Sequence, residues 1–395
     1  MSLETASSRL TDTHAPLAGV RVLDLTRLLP GPVCTLHLAD LGADVVKIED
    51  MGAGDYASPA LRGLVHRNKR ALRLDLKQPE GVAAMKTLAA TADVLVESFR
   101  PGVMDRLGVG YETLAALNPR LVFCSITGYG QTGPMRDQPG HDLNYCALAG
   151  ITDQMGRNGD TPALPNLPVA DLMGGSLTSV MGILAALFDA GRTGKGRHVD
   201  IAMADSALAH SLVPMVSLAL YGKTRPAGRD KLSGGLPCYS LYRTSDNRFL
   251  AVAAYEAKFW ERFCEIIGRE DLKPHHLPAD RATSDRVRAD LAALIGGQAL
   301  GHWQQVFAGG DCCVNAVLQP AESLAEPHFK ARGMVVPAAS NGGAVALGCP
   351  VKMTGYQFAV HRLAPAPGQH SDEIMAEAGY TAARVADMRN KGALG

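Results

Sequence analysis

The chain has 395 residues, 47 % of them hydrophobic and 20 % charged, with Lys+Arg and Asp+Glu equal at 39 each. That length exceeds one ordinary core and predicts two domains of a globular enzyme. With no net charge to draw in a polyanion, nucleic acid and a membrane surface are excluded as bulk partners, and any anionic ligand must be caught by local basic residues.

Residues 1–16 are polar, lack the apolar run of a secretion signal, and read as a loose tail. Beyond Gly19, short β-branched runs alternate with helical patterns. Residues 20–26 read as a strand, 32–41 as a helix with proline in its first turn, and 43–49 as a second strand. Strand 70–76, helix 80–92, strand 93–99, helix 103–117 and strand 121–127 continue the series. Such alternation needs crossover connections, which predicts a largely parallel sheet with helices on both faces.

Residues 128–168 are rich in Gly, Pro, Asn and Asp with little periodicity; so long a loop in a compact domain usually serves function. Residues 172–190 are apolar nearly all round, predicting a buried helix stopped at Gly191, with an apolar stretch, 177–190, too short to span a bilayer. A strand over 198–203 and another helix follow. Composition then shifts to Gly, Pro, Lys and Arg around 221–235, as in a linker, before short strands and helices restart over about 236–325 as a smaller α+β domain. The C-terminal tail carries one helix near 372–378. Eight scattered cysteines without a CxxC, and a vicinal Cys312–Cys313 pair ill-spaced for zinc or a disulfide, predict a reduced, cytoplasmic protein without a metal site.

Several motifs mislead. Gly128-Tyr-Gly130-Gln-Thr-Gly133 matches the dinucleotide fingerprint, but the Pro134-to-Pro139 segment after it cannot open the helix that receives a pyrophosphate. The Gly52-Ala53-Gly54 turn is weaker still. Gly174-Gly-Ser176-Leu-Thr178 lacks the last glycine of a nucleophile elbow, no Walker loop occurs, and His275–His276 reads as solvated surface.

Two places pair an ionisable residue with punctuation the fold does not need. His141 opens a short helix-like run, and Asp171 stands directly before the apolar helix. Taken locally, Asp171 is an N-cap and His141 a structural histidine. Together they are a candidate acid–base couple, with the helix N-terminus ready to hold an oxyanion and Gly174 and Gly175 admitting a ligand close to the backbone.

Over nearly its whole length the chain resembles the family III coenzyme A transferases, which include the α-methylacyl-CoA racemases. The matching blocks include Leu17-Ala-Gly-Val-Arg-Val-Leu-Asp-Leu-Thr26, Leu41-Gly-Ala-Asp-Val-Val-Lys-Ile-Glu49, Asp93-Val-Leu-Val-Glu-Ser-Phe-Arg-Pro-Gly102, Gly128-Tyr-Gly-Gln-Thr-Gly-Pro134 and Thr193-Gly-Lys-Gly196. The resemblance implies a Rossmann-like parallel-sheet large domain built from both chain ends, residues 1–225 and 335–395. It also implies a small α+β domain, 236–325, with linkers 226–235 and 326–334, and an interlocked homodimer. It implies coenzyme A held by Lys69, Arg70, Leu74 and Lys77 near one strand and by Ser98, Phe99, Arg100 and Arg106 near the next. No cofactor beyond the coenzyme A of the substrate, and no metal, is expected.

Family III transferases use one aspartate, matching Asp171, through anhydride and thioester intermediates. The racemases add a histidine thirty residues before it in a Gly-His-Asp-aliphatic-Asn-Tyr block, which residues 140–145 reproduce, and a glutamate, matching Glu256, that contacts the histidine. Catalytic His141, Asp171 and Glu256 follow, with racemisation of 2-methylacyl-CoA thioesters as the expected reaction. The alternatives are CoA transfer through Asp171, which Pro168-Val-Ala-Asp171 resembles, and a non-catalytic acyl-CoA-binding protein. One departure stands out: Asp50 occupies a position where many members carry an arginine at the adenine end of coenzyme A.

Overall fold

The structure is a computed structural model that describes residues 15–52, 58–156 and 160–395. Most of the polar tail and the Ala53–Gly54 part of the glycine turn therefore lie outside the described residues. The chain forms two compact units, the first from Met1–Ala149, Asn166–His210 and Pro327–Gly395, the second from Gly150–Pro165 and Ser211–Glu326. The expected small domain, 236–325, falls inside the second unit, which also takes in 150–165 and 211–235.

The first unit is built on six strands: β1 (Arg21–Asp24), β2 (Asp44–Glu49), β3 (Lys69–Arg73), β4 (Val94–Glu97), β5 (Val122–Thr127) and β6 (His198–Ala202). All five pairings are parallel, in the order β3-β2-β1-β4-β5-β6. The order reverses between β1 and β4, so the loops leaving these two strands diverge and open a crevice at the carboxyl edge of the sheet. Strands β1, β2, β4 and β5 are buried almost throughout and so lack a polar face, although the buried charges Asp24, Lys47, Glu49 and Glu97 interrupt their apolar residues. Both chain ends enter this core, since Ile374, Met375, Val385, Met388 and Leu394 pack with Leu23, Val46, Leu72 and Leu95.

Three expectations change. The predicted helix 103–117 is two short helices, Val103–Arg106 and Tyr111–Leu117, because Gly108 takes a left-handed conformation (φ 73°) between them. The apolar helix begins as a π-helix, Ala170–Leu177, runs on as an α-helix, Thr178–Thr193, and stops at a left-handed Gly194 instead of Gly191. Its continuous 24 residues are long and apolar enough to cross a bilayer, contrary to the shorter stretch read from sequence. It is also not buried all round: Met181 and Phe188 are 64 % and 69 % exposed. The tail carries a second helix, Ala382–Asn390, after Ser371–Glu377.

The second unit holds an antiparallel sheet of β7 (Tyr239–Arg243), β8 (Phe249–Ala253) and β9 (Val314–Ala316). Its core is aromatic: Trp260 stacks on Phe263, Phe263 on Phe307 and Phe307 on Trp303, in one cluster with Leu250 and Val252.

Candidate active site

Two cavities open at the carboxyl edge of the first unit's sheet. One, of about 480 Å3, is walled by Leu25, Ile48, Leu74, Leu76, Val103 and Leu107, with Asp50 and Lys77 at its polar side. The other, of about 750 Å3, takes in Ser98, Phe99, Arg100, Arg136, His141, Asn144, Tyr145, Asp171 and Met203. Arg27 and Phe99 line both, so the two form one elongated groove. The Arg27 guanidinium lies over the Phe99 ring at 5.0 Å, and its backbone N–H donates to Ser98 Oγ at 3.0 Å. Arg27 also pairs with Asp50. Asp50, where the resemblance leads one to expect an arginine, is thus the counter-ion of an arginine from the loop after β1.

His141 stands immediately before the helix Asp142–Leu148, exposed at the cavity wall, and its backbone N–H donates to Asn144 Oδ1 at 3.0 Å. Below it Tyr145 is buried, its hydroxyl donating to the Gly140 carbonyl at 2.5 Å. Asp171 sits in the first turn of the π-helix rather than at its cap, where Val169 stands. A π-turn widens the backbone locally and is common where a side chain is aimed at a functional site.

The N-cap reading of Asp171 is corrected by one contact: Asp171 N–H donates to Asp142 Oδ1 at 3.0 Å. The capping carboxylate comes from the residue beside His141, which frees the Asp171 side chain for the cavity and ties the two candidate groups together through neighbouring residues. Burial first and the Asp142 charge second, opposed by His141, together leave the Asp171 carboxyl raised to about 6. The helix N-terminus is not available to an oxyanion at its first N–H groups, since Asp171 donates to Asp142 and Leu172 to the Pro168 carbonyl at 3.0 Å. Nor do the two glycines admit a ligand. A Cβ at Gly175 would stand 2.7 Å from Pro30 Cβ, and one at Gly174 3.0 Å from the Met203 carbonyl, so both serve close packing of the π-helix. Ser176 completes that seam by donating to the Pro30 carbonyl at 2.7 Å.

Of the residues expected to hold coenzyme A, Leu74 and Lys77 line the first cavity, Ser98 and Arg100 the second, and Phe99 both. Three do not join them. Lys69 is fully buried at the start of β3, its ammonium donating to Pro32 O at 2.9 Å, Thr35 Oγ1 at 2.7 Å and Asp24 Oδ2 at 3.2 Å. Desolvation lowers it to about 8, held there against further loss by Asp24. Asp24 shows the converse: burial raises its carboxyl, but Lys47, Lys69 and two threonine hydroxyls more than offset this and hold it well below the carboxylate range. Arg70, on the opposite edge of the sheet, pairs with Asp44, Glu373 and Glu377, clamping the C-terminal helix Ser371–Glu377 to β3. Arg106 is exposed on its short helix and lines neither cavity. Glu256 is exposed in the second unit, as the N-cap residue of the helix Ala257–Ile266.

Sequence reasoning missed Arg27, Arg136 and the capping role of Asp142. Arg27 had a usable signal, a cation directly after the first strand of a doubly wound sheet. Asp142 had none, because its partner is twenty-nine residues away. Among the described residues, no group of three or more metal-ligating side chains comes together.

Comparison with known proteins fits this geometry. The human α-methylacyl-CoA racemase (Homo sapiens) is 37 % identical over 369 residues, covering 92 % of this chain and 94 % of that protein. The acetyl-CoA:oxalate CoA-transferase of Acetobacter aceti is 34 % identical, over 86 % of this chain and 90 % of that one. A crystal structure of a CAIB/BAIF family protein from Brucella suis matches with a TM-score of 0.80 at 29 % identity, over 92 % of this chain and 99 % of the other. A family model described as CoA-transferase family III matches residues 17–371, and the chain belongs to that family.

Proposed function

We propose that this acyl-CoA enzyme is a racemase of 2-methylacyl-CoA thioesters, acting by α-proton abstraction and return. The observation that carries the reading is that His141 and Asp171 line one cavity and act on each other electrostatically, with Asp171 raised to about 6. The α-proton of a thioester is weakly acidic, so its removal needs a base whose proton affinity lies near the working pH. Asp171, ionised at neutral pH yet far more basic than a free aspartate, meets that demand. His141 supplies the second group, so each removes the proton of one substrate hand and returns it for the other.

The groove suits the shape of the substrate. Its apolar end takes the adenine ring, Lys77, Arg27 and Arg100 meet the phosphates as charged donors, and the thioester reaches His141 and Asp171. In the same reading two copies interlock, and the second unit of one copy brings Glu256 to His141 of the other, orienting and charging it. Exposed Met181, Phe188, Leu212 and Leu220, each at least 64 % accessible, supply the apolar surface such a dimer buries.

A second reading is CoA transfer, favoured by the similarity to the Acetobacter transferase and by the Pro168-Val-Ala-Asp171 segment. There the Asp171 carboxylate attacks the thioester carbonyl and coenzyme A leaves. One experiment separates the two: NMR of a 2-methylacyl-CoA in deuterated water without added acid. Racemisation predicts α-proton exchange with loss of configuration, abolished in His141→Ala. Failure of exchange, with coenzyme A passing to an added carboxylic acid only when Asp171 is intact, replaces it with the transferase reading.

A further inference from the structure

The second unit contains a cavity of about 510 Å3 of its own, lined by Arg229, Arg288, Ser233, Ser240 and Asp160 together with the backbone of Gly228 and Gly234. Arg288, on the helix Arg281–Gly296, is half-buried. Its guanidinium donates through Nη1 to Ser240 Oγ at 2.5 Å and through Nη2 to the Gly234 carbonyl at 2.7 Å, both neutral acceptors. Its Nε is buried with no hydrogen-bond partner, and among the described residues it has no carboxylate within ion-pair distance. A guanidinium carries five N–H groups, so each Nη retains a hydrogen that this structure does not use. Arg229 lines the same cavity and likewise makes no ion pair among the described residues. Other arginines withdrawn from water among the described residues are matched, Arg62 with Glu49, Arg67 with Asp40, Arg70 with Asp44 and Arg248 with Glu322. A cation withdrawn from water without a counter-ion is costly, and the cost is recovered when a ligand supplies the missing charge.

We infer that this cavity binds the carboxylate of a small organic acid, with Arg288 as the anchoring cation and Arg229 at the rim. Among the described lining residues, two guanidinia and the Asp160 carboxylate leave one positive charge, which suits a monoanionic carboxylate better than a doubly charged phosphate. The planar guanidinium fork matches the planar carboxylate, and Ser240, held by Arg288, keeps that fork from turning. The cavity lies wholly in the second unit, while the His141–Asp171 cavity lies wholly in the first, so the inference does not rest on the racemase reading.

The test is calorimetric titration of the full-length protein with sodium propionate at constant ionic strength, with inorganic phosphate titrated in parallel. The expected result is saturable propionate binding at one site per chain, unchanged in Asp171→Ala and weakened about tenfold in Arg229→Gln. Arg288→Met abolishes it. Because Arg288 also holds the Gly234 turn, its loss can unfold the unit, and Arg229→Gln, an exposed residue without an ion pair, keeps the test decisive. Absence of saturable binding, binding untouched by Arg229→Gln, loss in Asp171→Ala, or phosphate bound more tightly than propionate each overturns the assignment. None of these outcomes bears on α-proton exchange, which is measured separately.

Discussion

Replacing Asp142 by asparagine tests how the site sets the basicity of Asp171. The carboxyl of Asp171 stands at about 6 against an ordinary 3.8, with burial the larger cause and the charge of Asp142 the next. Asp142→Asn removes that charge but keeps an oxygen for the Asp171 N–H, so the π-helix start retains its cap. Because burial dominates, the substitution takes back less than half of the rise, about one pH unit or less. In the proposed racemisation, the rate of α-proton exchange at subsaturating substrate reports the free enzyme's base, whose ionised form is lost as pH falls. The acid limb therefore moves down from about 6 to between about 5 and 6 in Asp142→Asn, with the alkaline limb unmoved. The assay is a pH series of deuterium exchange on both proteins, with circular dichroism to verify the fold. A limb that stays in place, or moves upward, refutes the claim that Asp142 acts on Asp171 by charge.

Further outcomes follow from the same geometry. The raised Asp171 means that the unfolded chain releases its proton first, so stability falls as pH climbs from 3.8 to about 6 and stays lower above that window. Discounted for partial exposure, the penalty is about 1–2 kcal/mol, and Asp171→Asn raises Tm by about 1–4 °C at pH 8 in calorimetry with no gain near pH 4. Lys69→Met leaves buried Asp24 undercompensated and costs about 3–5 kcal/mol in denaturant unfolding, whereas exposed Lys77→Ala stays within about 0.5 kcal/mol. In the proposed coenzyme A pose, Lys77→Ala instead raises KM for the thioester with kcat kept, the signature of a lost phosphate contact. Gly175→Ala drives a methyl to 2.7 Å from Pro30 Cβ, and denaturant unfolding should show a loss of about 1–3 kcal/mol.

The site was only partly legible. His141 and Asp171 could be picked out as an ionisable pair at breaks in the apolar pattern, whereas the groove residues Leu74, Lys77, Ser98, Phe99 and Arg100 are reached only through the family resemblance. Lys69 and Arg70 could not be separated from them. On paper each is a basic residue near the same strand, and only the environment reveals that one neutralises Asp24 in the core while the other clamps Glu373 and Glu377. The same holds for the apolar helix, whose exposed Phe188 and Met181 belong to the pattern that reads as buried.

What the residue order determines here is what short-range physics can carry. Short segments rich in Val, Ile and Leu, punctuated by glycine and proline, favour interior strands, and their alternation with helices favours a parallel sheet. What tertiary structure alone decided is charge. Whether a lysine binds a phosphate or a buried aspartate, and whether Asp171 titrates as an ordinary carboxylate or near 6, depends on which groups lie within a few ångströms and how much water is left. Asp142 and Asp171 meet although twenty-nine positions apart in the chain, and no local pattern encodes that meeting.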